Sequence, residues 1–97
     1  MRDEFILKAY SLWLVAPEQA IAQFREHEQA HRKQLAEHEE LLARLTREWG
    51  AALEQGDSPL FGSSLALHYA IDHERTYIVW CQWVIAQLEQ LSAANTL

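Results

Sequence analysis

The sequence predicts an all-α fold built around a long central helix, and three observations carry that expectation. Ile21, Phe24, Glu28, His31, Leu35, His38, Leu42, Leu45, Trp49 and Ala52 follow one another in alternating steps of three and four. That is the spacing of one stripe along a helix that packs on another helix over several turns. Neither Gly nor Pro occurs between Glu18 and Trp49. The 97 residues hold only three Gly and two Pro, and Val is sparse, a composition that favours helix over sheet.

The elements follow in order. A first helix is expected over about residues 2–15, where Phe5 and Leu12, and Ile6 and Trp13, repeat at sevens with Tyr10 and Leu14 beside them. Asp3 and Glu4 sit in its first turn, where acids suit the positive end of a helix. Ala16 and Pro17 mark a break, and Pro17 fits the first turn of the next helix. That central helix is expected over 17–55, with Glu, Gln, Lys and Arg on its outer positions. Gly56, Asp57, Ser58 and Pro59 read as a loop. A third helix is expected over 62–92. Its stripe is Leu67, Ile71, Glu74, Ile78, Cys81, Ile85 and Leu88, with a neighbouring one through Ala70, Tyr77, Val84 and Leu91. Tyr69, Trp80 and Trp83 add apolar surface on its sides. A helix apolar on that many sides is buried on more than one.

Length makes this a single domain, residues 1–97, and one whose poor surface-to-volume ratio favours pairing with another subunit. The central helix would be roughly 58 Å long, whereas a compact globule of about 100 residues is roughly 35 Å across. Part of the stripe is therefore expected to lie against a second copy, in an antiparallel, coiled-coil-like homodimer. Spacing alone does not separate parallel from antiparallel pairing of the subunits. The expected interface is Phe24, Glu28, His31, Leu35, His38, Leu42 and Leu45 of the central helix, with Ile78, Cys81, Ile85 and Leu88 of the third. The polar members lower stability but help fix register. His31 is expected to pair with Glu28 or with a partner residue.

Other classes are disfavoured. The net charge of −6 repels nucleic acid and acidic lipid surfaces, and no basic cluster offsets it. Cys81 is the sole cysteine, so no internal disulfide forms, and its apolar surroundings suit a buried thiol. No secretory signal opens the chain and no apolar run reaches membrane-spanning length, so the cytoplasm is the expected compartment. Phosphate loops and nucleophile elbows are lacking.

His27-Glu28-Gln29-Ala30-His31 matches H-E-x-x-H, which on a helix sets two imidazoles on one face for zinc, with Glu28 to activate water. A third ligand is needed. The positions where one zincin class continues with Gly and His hold Gln34 and Glu37. Glu48, at the spacing of the other class, is about 30 Å away along the same helix. No catalytic residue, metal or cofactor is therefore expected. His27 and His31 are the residual metal candidates, and a zinc hydrolase is the least favoured alternative.

Tyr10, Trp13, Tyr77, Trp80 and Trp83 stand at helical spacings. Such rings are core residues, or they wall a pocket for a flat apolar ligand. The sequence does not separate the two, so a small aromatic-ligand-binding module remains the main alternative function.

The opening Arg2-Asp3-Glu4-Phe5-Ile6-Leu7-Lys8 resembles the start of the C-terminal domain of PadR-like transcriptional regulators, the virulence-activator α C-terminal type. The resemblance continues through the break at Pro17 and the long helix Gln23 to Trp49. It ends with Leu67-His68-Tyr69-Ala70-Ile71 and Glu74-Arg75-Thr76-Tyr77-Ile78-Val79-Trp80, where Ala70 replaces the usual Gly. The resemblance implies a helical domain that joins two subunits through its long helices. It also implies that DNA is bound by an N-terminal winged-helix domain not contained in this chain, and that some members of the family respond to a small aromatic effector at or near the dimer interface.

Overall fold

Pro17 has no amide hydrogen to lose at the start of a helix, and from it α1 runs as Pro17–Leu53. The Ala20 N–H already donates to the Ala16 carbonyl at 3.0 Å. The computed structural model describes residues 15–95, so the helix expected over 2–15, with Tyr10 and Trp13, lies outside the described residues. A five-residue loop, 54–58, leads into α2, Pro59–Asn95. No strand occurs among the described residues.

The sequence placed Pro59 in the loop and started the helix at 62. Instead Ser58 caps the helix: its Oγ accepts from the Leu60 N–H at 3.2 Å, and Pro59 occupies the first turn, where its missing donor costs nothing. Ser58→Ala should therefore destabilise the hairpin by about 1 kcal/mol, measured by urea unfolding followed by circular dichroism. The far end of α2 also runs past the predicted 92, to Asn95.

α1 stops short of its predicted end at 55 and is not straight. Trp49 has φ −136° and ψ 26°, outside the helical region, and Gly50 follows it. The kink turns the last helical residues, so that Leu53 is buried while Trp49 is 53% exposed. The predicted stripe through Trp49 and Ala52 is thus displaced by one residue at its end.

The two 37-residue helices fold antiparallel into a hairpin of 61 × 24 × 14 Å with a radius of gyration of 18.2 Å. Polar contacts fix that direction: Glu18 meets Ser92, His31 meets Glu74 and Glu39 meets Arg75. The tightest packing is at the open end. Ala20 and Phe24 of α1 bury against Cys81, Val84, Ile85 and Leu88 of α2, with Ile21, Tyr77 and Trp80 closing over them. Towards the loop, Leu35, His38, Leu42 and Leu45 are only half-buried, while Ile71 and Ser64 are buried. No helix among the described residues is long and apolar enough to cross a membrane.

Candidate functional site

Five of the residues expected between subunits lie inside one chain. Phe24, Ile78, Cys81, Ile85 and Leu88 are buried between α1 and α2. The expectation of a second copy over this stripe assumed a compact globule too small for the central helix. The chain solves the length problem with a second helix just as long, and α2 covers the stripe from within. Cys81 is fully buried, as its surroundings suggested.

The polar members of the stripe are also met within the chain. His31 Nδ1 is hydrogen-bonded to the Glu74 carboxylate across the helix pair, rather than to Glu28. The His31 ring stacks flat on Tyr77, with centroids 4.7 Å apart. His27 stands edge-on to both, 4.2 Å from His31 and 5.4 Å from Tyr77. His73 and then Tyr69 extend the line of rings on α2, and Trp80 joins Tyr77 to Phe24 at the other end. His38 is half-buried, and its Nδ1 has no hydrogen-bond partner among the described residues.

The residues of the H-E-x-x-H run have other partners in the hairpin. Glu28 accepts from Arg32 at 2.7 Å and from Gln82 at 3.3 Å, so its carboxylate is held by donors rather than poised over the two imidazoles. No group of three His, Cys, Asp or Glu side chains among the described residues is arranged to hold a metal ion.

The predicted aromatic pocket is not assembled by its described members. Tyr77 and Trp80 are adjacent, with centroids 6.0 Å apart, and pack towards α1. Trp83 is rotated about 60° further round α2, is 59% exposed, and makes no ring contact with the described residues. Tyr10 and Trp13 lie outside them. A separate open cleft of about 480 Å³ runs between the helices nearer the loop, over Leu42, Ala43 and Ile71. Arg75 lines it as well and bridges Glu39 at 3.0 Å and Asp72 at 3.9 Å.

Polar contacts at the open end are weak fasteners. Ser92 Oγ donates to Glu18 Oε1 at 2.7 Å, and this bond is the main cause that lowers the Glu18 pKa from its ordinary value. A lowered carboxylate pKa contributes stability above the unfolded-state value and loses it as pH falls through the folded-state value. Ser92→Ala should return the Glu18 midpoint upward towards the ordinary carboxylate range, read by NMR titration. Arg25 and Glu89, 3.7 Å apart and more than half exposed, form a surface pair of little energetic weight.

The feature that the sequence left unread is a second stripe on α2, on the side away from α1. Leu65, Tyr69, Asp72, Thr76, Val79, Trp83, Ala86 and Gln90 again step by four and three, and every one is exposed. Tyr69 is 68% exposed, Val79 64% and Leu65 55%. The signal was present in the spacing, but Asp72 and Thr76 break its hydropathy in the middle.

Comparison with known proteins identifies the family. Residues 1–89 match the family described as virulence activator alpha C-term. A curated relative, the negative transcriptional regulator PadR of Bacillus subtilis (strain 168), is 28% identical over 94 residues. The match takes in 93% of this chain but 48% of that relative, so the chain spans about half of its length. No solved structure matches. With the family description covering nearly all of the hairpin, the chain belongs to the virulence activator alpha C-terminal family, the C-terminal domain of PadR-like regulators.

Proposed function

We propose that this chain is the dimerisation domain of a PadR-like transcription regulator, joining two subunits and setting the spacing of DNA-binding domains carried elsewhere in the protein. One observation carries the reading: α2 has two helix-packing stripes and the chain's own α1 covers one of them. The hairpin is a single helix pair, 14 Å in its shortest dimension. It leaves Leu65, Tyr69, Val79, Trp83 and Leu91 more than half exposed. Apolar surface of that extent, with four of the five side chains in one helical row, supports a protein–protein contact. The half-buried seam residues Leu35, His38, Leu42 and Leu45 are the part of the predicted interface that stays accessible to a second copy. The role is non-enzymatic, and a regulator of this kind works in the cytoplasm.

Stability linked to association depends on protein concentration. The midpoint of thermal unfolding, followed by circular dichroism, should rise steadily as the protein is raised 100-fold in concentration. A midpoint independent of concentration would contradict the proposal.

A further inference from the structure

We propose that the open cleft between α1 and α2 binds a small monocarboxylate with an aliphatic tail, its carboxylate on Arg47 and its tail on the apolar floor. This goes beyond the dimerisation reading and does not rest on it. The cleft holds about 480 Å³ and is lined by side chains of α1 between Glu39 and Arg47 and of α2 between His68 and Arg75. That is within the size range of small-molecule sites. Because the helices run antiparallel, Arg47 and His68 stand at its loop-side end, and Glu39 and Arg75 stand at the other. Leu42, Ala43 and Ile71 lie between the two ends.

The first argument is charge. The other basic side chains of α1 have acidic neighbours. Arg25 has Glu89 and Arg32 has Glu28. Lys33 and Arg44 have Glu37 and Glu40 four residues away along the helix, the spacing at which helical side chains meet. The positions three and four residues from Arg47 hold Ala43, Arg44, Gly50 and Ala51, none of them acidic. Glu48, next in sequence, does not share its face. Among the described residues Arg47 makes no ion pair. Arg75, the other guanidinium of the cleft, is already bridged to Glu39 and Asp72. The unengaged guanidinium therefore calls for a single negative charge. A carboxylate matches its planar fork of donors. A phosphate ester would bring nearly two charges and set the second near Glu39 and Asp72.

The second argument is the lining. Its carbon surface is aliphatic, from Leu42, Ala43 and Ile71, and His68 is the one ring in it. The rings that could stack on a flat ligand, Tyr77 and Trp80, pack towards Phe24 at the open end of the hairpin. Flat ligands gain from stacking on rings. An alkyl chain gains simply by leaving water, which this floor offers.

Octanoate is the probe, titrated into the whole chain and followed by NMR at the Leu42 and Ile71 methyls and the Arg47 Nε–H. Saturable shifts at all three are expected. Octanol carries the same tail without the charge and should bind at least about 10-fold more weakly, the loss of one charge-assisted hydrogen bond. Arg47→Gln should weaken octanoate by about the same factor, leave octanol unchanged and keep the helical signal. Lys33→Gln removes an exposed cation outside the cleft and should change neither ligand. Equal affinities for octanoate and octanol, or equal losses in the two variants, would overturn the role of Arg47. Tighter binding of benzoate than of octanoate would overturn the aliphatic class. Shifts that never saturate would overturn the site. Methyl shifts that follow protein concentration and ignore octanoate would mean that a second copy fills the cleft, which overturns the site and leaves dimerisation standing. A monomeric mass with saturable octanoate binding would do the reverse.

Discussion

Phe24→Ala should cost about 3–4 kcal/mol of unfolding free energy, the largest loss expected from any single truncation in the hairpin. Phe24 is 1% exposed and is the largest fully buried side chain. It is seated against Trp80 edge-on, with centroids 5.7 Å apart, and against the Cys81 to Leu88 face of α2. Its removal loses the transfer energy of the ring and leaves a cavity that two long packed helices cannot readily collapse to fill. For a domain this small, such a loss is a large part of the total. Urea unfolding at fixed protein concentration measures it. Trp49→Ala is the comparison: Trp49 is a larger residue but more than half exposed beside the kink, so its truncation should change stability by less than about 1 kcal/mol. Equal losses for the two would mean that the core does not sit where the packing places it.

Glu74→Ala should cost about 2–3 kcal/mol, nearly as much as the core truncation, through a different cause. Glu74 is 5% exposed at the middle of the seam, and its carboxylate is hydrogen-bonded to His31 Nδ1. Removing it leaves the half-buried imidazole without its acceptor, and the loss of one partner from a buried pair is costlier than the loss of both. Glu74→Gln keeps an acceptor and should cost less. His31→Leu combined with Glu74→Leu should recover most of the stability, because apolar side chains of similar size can take over the site. A double-mutant cycle with His31→Ala should return a coupling above about 1 kcal/mol. Strict additivity in that cycle would show that the pair does not join the helices.

These two residues also show what the sequence discloses and what it does not. The stripe from Ile21 to Leu45 was legible, since the three-four alternation is a property of any helix that packs along its length. Which helix covers it was not, because the same spacing serves a neighbour in the same chain and a neighbour in another. An assumed globular shape pointed to a second copy for Phe24, Ile78, Cys81, Ile85 and Leu88, whereas in the 61 Å hairpin these side chains are buried against the chain's own helices. Trp49 defeated the reading for a local reason. The kink there depends on backbone angles that no residue type before Gly50 announces. Pro59 was read as a loop residue because a proline both ends loops and opens helices, and only the Ser58 cap decides between the two. The outer stripe escaped because Asp72 and Thr76 divide Leu65 and Tyr69 from Val79 and Trp83. Polarity in the middle of a stripe masks its period, although the period is what matters for packing. Trp83 illustrates the same limit: its spacing from Trp80 is that of neighbours on one face, yet a rotation of about 60° puts one ring against α1 and the other in the open.

The exposed apolar side chains of α2 carry the proposal that this hairpin completes its packing with a second copy. Light scattering on a sizing column, which returns molar mass independent of shape, tests that claim most directly for a molecule this elongated. At micromolar concentration the mass should be twice the 11.3 kDa of the chain. A mass of 11.3 kDa held at every concentration would contradict it.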